Sequence, residues 1–413
     1  MVAKELEEKI IKHVEKHRDD IIDYLIRLIK TKSDNPPGLY EEISKVVADE
    51  FKKLGFDEIV TVRIPDEEVK KMGLETPRIN VLGVMKGTSG KPVLVFNPHM
   101  DTVPPGSGWT VNPYGGEIID GWIYGRGASD SKGNIAAYTY ALAAIREAGV
   151  KLKGDAVVAC TVDEETGGFL GPKYLLDHGI LKPDMAIVEG FAHHIWNALN
   201  GCLWMKIVVK GKTAHASMPY LGVDAIRKAV KVLEALYDYQ HRLTKRRSNI
   251  PGIEFPTIVP TIIHGGVKEN VVCDLCEIRF DRRITPNEKP EEVIKEIENI
   301  LKGLMLADSE MKLEWKQLML AKPAGPVPEN HPLIEAIRHY ARKIFNEEIP
   351  VIGIPGFADS RFYWERNIPF AHYGVGPAKF EDARAHGPDE RVLIDDVINA
   401  TKVLALATVK LLS

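Results

Sequence analysis

Histidine and carboxylate side chains follow apolar segments or glycine-rich turns at five places in this sequence. They are His99 and Asp101 in "VLVFNPHMD", Asp130 in "GRGASDSKG", Glu164 and Glu165 in "VVACTVDEETGG", Glu189 in "DMAIVEGF" and His386 in "ARAHGPDE". Imidazole and carboxylate groups are ligands that zinc and similar divalent cations accept. Two imidazoles and three carboxylates could therefore hold a pair of cations, which in two-metal sites lie about 3.5–4 Å apart.

Taken one at a time, these residues also have ordinary structural explanations. Asp130 could cap a helix, Glu164 and Glu165 could be solvated, and His386 could be a loop histidine. A metal site is favoured by the paired acids after an apolar strand, because like charges that are buried together repel each other and lose hydration. A divalent cation removes that cost.

The elements that must position these residues alternate between helices and strands. Helices are predicted near 4–31, 39–54, after Lys132 and near 168–178, and strands near 79–86, 92–97, 155–162 and 184–189. This alternation is typical of α/β proteins with a mostly parallel sheet that is covered on both faces. In such sheets, ligands bind beyond the carboxyl ends of the strands, which is where His99 and Asp101 lie.

The pattern changes after about residue 197. Strands and helices then follow in the order βαββαβ, which is typical of a small ferredoxin-like unit. The proline-rich stretch "AKPAGPVPENHP" precedes a return to α/β material. We therefore predict a catalytic domain that is split into 1–197 and 319–413 by an inserted α+β domain at 198–318.

The composition is that of an ordinary globular protein and narrows the choice of partners. A chain of 413 residues is longer than a single hydrophobic core usually supports, so more than one domain is expected. Hydrophobic residues make up 45% of the chain, which is an ordinary fraction. A net charge of −4 gives no general attraction to nucleic acid or to an anionic membrane. The charged start "MVAKELEEKIIKHVEKHRDD" does not resemble a signal peptide, and no run of about 18 apolar residues occurs, so we expect a cytoplasmic protein.

In their order and spacing, "HMDTVP", "GRGASDSKG", "DEETGG" and "AHGPDE" resemble the M20 family of metallopeptidases and amidohydrolases. This family includes succinyl-diaminopimelate desuccinylase, acetylornithine deacetylase, aminoacylase and carboxypeptidase G2. The resemblance covers nearly the whole chain and implies that Asp130 bridges two divalent ions, zinc in the first place and otherwise cobalt or manganese. It implies that His99 and Glu189 complete one metal site, and that Glu165 and His386 complete the other.

The same resemblance assigns two roles beside the metal ligands. Glu164 would be the general base that activates water for attack on the substrate. Asp101 would accept a hydrogen bond from the His99 ring and fix its orientation, as ligating histidines usually require.

The resemblance extends to the inserted domain, which it describes as a lid and dimerisation domain. There, His215 would reach the active site of the partner subunit in a homodimer and stabilise the tetrahedral oxyanion, although it could also be a plain surface histidine. Asn270 and Arg283 would bind the substrate carboxylate, for which a guanidinium fork is suited. In "GFADSRF", Arg361 stands at the family's arginine position and is predicted to bind substrate as well.

The predicted reaction is hydrolysis of an amide bond in N-acyl-amino acids, which are small molecules with a free carboxylate. Phe357 and Ala358 stand where the desuccinylase pattern has Thr-Ser, which weakens succinyl-diaminopimelate as the substrate and suggests a more apolar pocket. The alternative is a metallo-carboxypeptidase or dipeptidase that acts on short peptides. A non-catalytic relative is the third reading, but such a protein would be expected to lack the base or a ligand.

Overall fold

The computed structural model describes residues 4–413, which fall into two compact units. The first unit contains the chain up to Asn197, Val327–Val351 and Ala358–Ser413, and the second contains Ala198–Pro326 and Ile352–Phe357. The return to the first unit lies at Val327 and not at the predicted residue 319. The reason is that Ala324 still pairs with Leu199 of the second unit.

The bounds of the elements are as follows. The helices are α1 (Lys4–Lys16), α2 (Arg18–Lys30), α3 (Glu41–Lys53), α4 (Asp66–Lys71), α5 (Lys132–Glu147), α6 (Pro172–Asp177), α7 (Ala225–Leu243), α8 (Pro290–Ala307), α9 (Pro332–Phe345), α10 (Ser360–Trp364), α11 (Phe380–Ala383) and α12 (Ile394–Leu412). The strands are β1 (Glu58–Arg63), β2 (Ile79–Met85), β3 (Leu94–Asn97), β4 (Glu117–Ile119), β5 (Trp122–Tyr124), β6 (Ala156–Cys160), β7 (Met185–Val188), β8 (Ile195–Leu199), β9 (Gly201–Lys210), β10 (Thr257–Gly265), β11 (Leu275–Ile284), β12 (Lys312–Ala321), β13 (Val351–Ile354), β14 (Phe370–His372) and β15 (Arg391–Leu393).

The main sheet has eight strands in the order β1-β2-β6-β3-β7-β14-β8-β13. The predicted α/β fold class is confirmed, but the sheet is mixed rather than mostly parallel. The four central strands β6, β3, β7 and β14 are parallel, whereas β1, β2 and β8 pair antiparallel. Every residue of β3 and β6 is buried, as expected of strands that are covered on both faces.

Helices α5 and α12 pack against each other and are apolar around most of their circumference. Within α5, the alanine-rich run from Lys132 to Ile145 is buried throughout, as is typical of a helix that lies inside the core. The predicted helix over 4–31 is divided, because α1 ends at Lys16 and α2 begins at Arg18. His17, between them, places its Nε2 2.7 Å from Glu147 Oε1 at the end of α5.

The second unit is an antiparallel sheet in the order β10-β11-β9-β12 with the helices α7 and α8. This order, with the chain sequence βαββαβ, confirms the predicted ferredoxin-like arrangement. Its core joins the inward residues of the strands to one stripe of each helix, such as Ile207, Val232 and Ile297. Asp224 caps α7 by accepting hydrogen bonds from the N–H groups of Ile226 and Arg227.

A small sheet in the order β15-β5-β4 was not predicted from the sequence, because its strands are only three residues long. Arg391 of β15 lies opposite Tyr124 of β5. This pairing brings the segment before β15 to the glycine-rich turn that follows β5. Among residues 4–413, no helix combines the length and the apolar composition that crossing a membrane requires.

Candidate active site

Three neighbouring parallel strands end at one edge of the main sheet and carry most of the predicted ligands. Strand β3 runs parallel to β6 on one side and to β7 on the other, with Phe96 opposite Val158 of β6. Beyond their carboxyl ends the chain presents His99 after β3, the acids 163–165 after β6 and Glu189 after β7. The crevice beyond such strand ends is where α/β proteins bind ligands.

Asp130 lies between the two histidines and contacts both of them. Its Oδ1 is 3.0 Å from His99 Nε2, and its Oδ2 is 3.3 Å from His386 Nε2. His386 Nε2 also lies 3.1 Å from Glu165 Oε2. Ligand atoms of His99, Asp130 and Glu165 all lie within 4.8 Å of one another. A carboxylate with one imidazole at each oxygen is suited to be shared by two cations.

The turn that carries Asp130 is held by the buried carboxylate of Glu390. Its Oε1 accepts hydrogen bonds from the main-chain N–H groups of Ser129 at 3.1 Å and Asp130 at 3.0 Å. Its Oε2 accepts one from the N–H of Gly127 at 3.0 Å and pairs with Arg126 Nη1 at 2.6 Å. The position of Asp130 therefore depends on a buried ion pair as well as on the start of α5.

His99 is oriented by the residue two positions further along the chain. Its Nδ1 lies 3.0 Å from the main-chain oxygen of Asp101 and 3.6 Å from the carboxylate Oδ1 of the same residue. The nearest acceptor is thus the main-chain carbonyl, whereas the sequence predicts the carboxylate. Asp101 Oδ2 accepts hydrogen bonds from Asn35 Nδ2 at 3.0 Å and from the N–H of Glu165 at 3.2 Å. Asp101 therefore links His99 to the loop that carries Glu165.

The acidic loop after β6 begins with a residue in an unusual conformation. Asp163 has φ of +64°, in the left-handed backbone region that residues other than glycine seldom adopt. Its carboxylate accepts hydrogen bonds from Tyr40 Oη at 2.9 Å, Asn35 Nδ2 at 3.0 Å and the fully buried guanidinium of Arg78 at 3.0 Å. These contacts hold the turn that presents the two glutamates directly after Asp163.

Several carboxylates crowd this edge of the sheet, and their pKa values reflect it. Burial raises the pKa of Glu189 to about 8 and raises the pKa of Glu164 well above its usual value. Burial also opposes ionisation of Asp130, but hydrogen bonds from His386 and His99 bring its pKa well below the usual value. Hydrogen bonds, first of all to Asp130, raise the pKa of His386 to about 10. The cluster therefore attracts positive charge.

Buried oxygen atoms without donors lead to the same conclusion. Glu189 is 9% exposed, and its Oε2 has no hydrogen-bond partner among the described residues. Asp101 Oδ1 likewise lacks a hydrogen-bond partner within residues 4–413. Buried carboxylate oxygens are normally paired, because an unpaired one loses its hydration without compensation. The carboxylate of Glu189, together with those of Asp130 and Glu165 and the two histidines, fits divalent cations that accept nitrogen and oxygen ligands.

Two of the predicted residues of the second unit lie side by side. His215 pairs with Val271 in an isolated bridge, and the N–H of Ala216 donates to the carbonyl oxygen of Asn270 at 3.0 Å. Both predicted side chains are exposed. His215 Nδ1 accepts a hydrogen bond from the N–H of Ser217 at 3.2 Å and lies 2.7 Å from the Ser217 hydroxyl.

Arg283 is the more exposed of two adjacent arginines on β11. Its Nε donates to Asp281 Oδ1 at 2.8 Å, its Cζ lies 5.6 Å from the ring centre of Phe357, and its side chain is 29% exposed. Arg282, in contrast, is fully buried and pairs with Glu288. Of the two arginines, Arg283 is the one that a ligand in solution can reach.

Arg361 lies in the first unit and is only 4% exposed. Its Nη1 donates to the carbonyl oxygen of Ala358 at 3.0 Å, and its Nη2 donates to that of Gly167. The contact with Gly167 ties it to the main chain of the acidic loop, and the contact with Ala358 ties it to the segment just before α10. Substrate binding by Arg361 stays a prediction.

Glu390 and Asp359 were not identified as site residues from the sequence, although the motifs "AHGPDE" and "GFADSRF" contain them. Asp359 is 1% exposed, and burial raises its pKa to about 7. The sequence signal that could have identified them is their place in the motifs, where Glu390 follows the predicted ligand His386 and Asp359 precedes the predicted substrate-binding residue Arg361. The partner of Glu390 is the turn 260 residues earlier, and only the pairing of short strands places the two together.

A split α/β unit with a cluster of histidine and carboxylate ligands at its strand ends is typical of metal-dependent hydrolases. The family described as Peptidase family M20/M25/M40 matches residues 95–410, which is more than half of the chain. The chain therefore belongs to this family. The resemblance drawn from the motifs is confirmed, and the protein is a metallohydrolase.

Three relatives are similar over almost the entire chain. An uncharacterized metallohydrolase of Methanocaldococcus jannaschii is 29% identical over 93% of this chain and 98% of its own. The N-formyl-4-amino-5-aminomethyl-2-methylpyrimidine deformylase of Bacillus subtilis is 27% identical over 95% of each chain. The acetylornithine deacetylase of Vibrio cholerae is 28% identical over 90% of this chain and 91% of its own.

Solved structures confirm the fold. An M20 family metallo-carboxypeptidase of Sulfolobus solfataricus has a TM-score of 0.76 and 19% identity, and it covers 94% of this chain and 99% of its own. A dinuclear metal-binding M20 peptidase of Bacillus subtilis has a TM-score of 0.70 and 16% identity, with coverage of 96% and 99%.

Proposed function

We propose that this protein hydrolyses the amide bond of N-acyl-amino acids with two divalent ions bound by His99, Asp130, Glu165, Glu189 and His386. The observation that carries the proposal is Asp130, whose two oxygens lie 3.0 Å from one imidazole nitrogen and 3.3 Å from another. Zinc is the first candidate, with cobalt or manganese as alternatives. Such ions, when bound, polarise a substrate carbonyl and make water a stronger nucleophile near neutral pH.

Glu164 is the proposed general base. It directly precedes the ligand Glu165, and within residues 4–413 its carboxylate makes no hydrogen bond, so it can accept a proton from the attacking water. The same carboxylate can return that proton to the leaving nitrogen, which splits the amide without a covalent intermediate on the protein.

His215 is proposed to stabilise the oxyanion that forms when water attacks. Because its Nδ1 accepts the N–H of Ser217, the proton of the neutral ring resides on Nε2. An Nε2–H group is a suitable donor for a developing negative charge on oxygen. As the family resemblance implies, we assign this role to His215 of a partner subunit.

Arg283 and Asn270 are proposed to bind the free carboxylate of the substrate. Within the described residues, Nε is the only nitrogen of the Arg283 guanidinium that donates a hydrogen bond, so both Nη atoms can form a fork with a carboxylate. The adjacent ring of Phe357 supports an apolar rather than a hydroxylated environment for the substrate.

A homodimer through the second unit completes the proposal. Strand β10 lies at the edge of its sheet and exposes Val259 (51%), Ile262 (40%) and Ile263 (52%). On the neighbouring helix α7, Ile226 is 45% and Val230 is 47% exposed. An exposed apolar edge strand tends to pair with another strand, and a second copy supplies one with the same pattern. Neither nucleic acid nor a membrane is proposed as a partner, and the cytoplasm stays the predicted location.

The second candidate is a carboxypeptidase or dipeptidase. The Nη atoms of Arg283, which donate no hydrogen bond within residues 4–413, would bind the carboxylate of a short peptide as readily as that of an N-acyl-amino acid. The two candidates differ in the group on the other side of the amide bond, which is an acyl group in one case and an aminoacyl group in the other.

The test is a panel of N-formyl-, N-acetyl-, N-succinyl- and longer N-acyl-amino acids beside dipeptides, each assayed with zinc, cobalt and manganese. We expect at least one N-acyl-amino acid to be cleaved, with loss of activity on chelation and recovery on adding metal. Glu164→Ala should retain the metal and lose turnover by orders of magnitude, about 10²–10⁴-fold. Activity that survives exhaustive chelation, or a fully active Glu164→Ala, would refute the proposed mechanism.

The dimer is tested by equilibrium sedimentation of the full chain and of Ile263→Lys. We expect a dimer for the wild type and a monomer for the variant. A monomeric wild type that is fully active would contradict the cross-subunit role of His215.

A further inference from the structure

The acidic loop 163–170 is supported on one side by the network of Asp163 and on the other by the segment around α10. The second support consists of Asp359, Arg361 and Phe362, all of which belong to the first unit together with the loop. Three different contacts join this segment to residues Gly167, Gly168 and Phe169.

The first contact is a charged hydrogen bond. Arg361 Nη2 donates to the carbonyl oxygen of Gly167, and its Nη1 donates to the carbonyl oxygen of Ala358 at 3.0 Å. The guanidinium therefore links the main chain of the loop to the main chain just before α10. Hydrogen bonds from a charged donor are stronger than those between neutral groups, and this one is shielded from water because Arg361 is only 4% exposed.

The second contact is steric and explains the glycine at position 168. Gly168 has φ of +65°, and a Cβ atom placed on it would lie 1.9 Å from Asp359 Oδ1. Any side chain at this position would force the loop and Asp359 apart. The loop can approach α10 this closely only because residue 168 is glycine.

The third contact is aromatic. The ring centres of Phe169 and Phe362 are 6.0 Å apart, and Arg361 Cζ lies 4.1 Å from the ring centre of Phe362 and 6.0 Å from that of Phe169. The guanidinium is thus packed against two rings, which restricts its position further.

We propose that Arg361 is a positioning residue that holds the loop of Glu164 through the Gly167 carbonyl, and that it does not bind the substrate. Glu164 itself makes no hydrogen bond through its carboxylate within the described residues, so its position depends on the main chain of this loop. In this proposal, the residue that binds the carboxylate of the substrate is Arg283, whose side chain is 29% exposed. The inference rests on the proposed function only for the role of Glu164.

The test combines kinetics with hydrogen exchange on the full-length protein. Arg361→Met removes the donors but keeps an apolar stem of similar length, and Arg361→Lys restores one donor. Gly168→Ala adds a Cβ atom that clashes with Asp359, so it displaces the loop while the side chain of Arg361 is unchanged. Arg366→Met is the matched control, because Arg366 donates to the carbonyl oxygen of Phe362 at 2.7 Å without contacting the loop.

Kinetics are measured with one N-acyl-amino acid and with its carboxamide, which lacks the carboxylate. A misplaced catalytic group can cost about 100-fold in rate. We therefore expect Arg361→Met and Gly168→Ala to lower kcat roughly 10- to 100-fold on both compounds with little change in KM, Arg361→Lys to lose less, and Arg366→Met to match the wild type. A rise in KM that occurs with the acid alone would overturn the proposal, because it would show that Arg361 binds the carboxylate.

Hydrogen exchange does not depend on activity. The N–H groups of Thr166 and Gly168 donate to the carbonyl oxygen of Asp163, and that of Gly167 donates to Glu164. In Arg361→Met and Gly168→Ala, these amides should exchange faster while α5 and α12 exchange as in the wild type. Unchanged exchange in the loop would overturn the proposal. If the wild type hydrolyses no amide at all, the proposed function fails, and the exchange data still decide whether Arg361 holds the loop.

Discussion

Replacing Glu390 by glutamine should destabilise the first unit, although the two side chains have nearly the same shape. Glu390 Oε1 accepts hydrogen bonds from the N–H and hydroxyl of Ser129 and the N–H of Asp130, and Oε2 accepts from Gly127 and Arg126. In glutamine, an NH2 group replaces one of these two oxygen atoms and cannot accept a hydrogen bond. Whichever oxygen it replaces, at least two donors lose their acceptor. Each buried donor left without an acceptor costs about 1–3 kcal/mol.

The charge of Arg126 adds to this loss. Its side chain is 1% exposed, and breaking a buried ion pair by neutralising one partner costs about 3–5 kcal/mol, a figure that already includes hydrogen bonds lost with the pair. We therefore expect Glu390→Gln to lower the free energy of unfolding by roughly 3–5 kcal/mol.

The assay is urea unfolding of the metal-free protein at pH 7, followed by a signal from the first unit. Glu381→Gln is the control, because Glu381 lies on the same segment and is exposed, so it should change stability by no more than about 0.5 kcal/mol. A loss below about 1 kcal/mol for Glu390→Gln would refute the reasoning, because it would mean that the donors find other acceptors.

Two further predictions concern single side chains in the two units. Ser217→Ala removes the hydroxyl beside His215 Nδ1 but keeps the main-chain donor, so kcat should fall by a factor of about 2–10 at unchanged metal content, and an unaltered kcat would contradict the role of His215. Glu50, which is 1% exposed, accepts hydrogen bonds from Tyr140, Arg27 and Lys53, and these outweigh burial and lower its pKa below the usual 4.5. Its stabilisation is thus present above about pH 4.5 and lost as the pH falls through the lowered pKa. Glu50→Gln should cost roughly 1–3 kcal/mol at pH 7 and show a smaller loss of stability on acidification than the wild type, and parallel stability curves for the two proteins would contradict this account.

The strand ends could be predicted because each of them carries a local signal. The apolar run before His99 marks a buried strand, and the same holds for the runs before Glu164 and Glu189. Parallel strands that are covered on both faces have continuous apolar sequences, so the period and composition of these segments suffice to place the ligands at one edge. The ferredoxin-like unit was predictable for a similar reason, since its helices and strands are long and regular.

Contacts between distant segments could not be predicted in this way. Nothing in the sequence near Glu390 shows that three residues of β15 pair with β5 and bring this carboxylate to the Asp130 turn. The direction of the outer strands of the main sheet is likewise set by packing. The antiparallel pairing of β1, β2 and β8 therefore could not be predicted, and the sequence suggested a mostly parallel sheet instead. Arg361 shows the limit of a motif, which identifies the residue but not what its guanidinium contacts.

The central claim is that Asp130 is shared by two divalent ions, one beside His99 and the other beside His386. It is tested most directly by metal content after equilibrium dialysis against zinc, for the wild type and for Asp130→Asn. We expect two ions per wild-type chain and, for Asp130→Asn, a loss of affinity at both sites that leaves fewer than one ion per chain. A wild type that binds no zinc, or an Asp130→Asn variant that binds as much as the wild type, would contradict the claim.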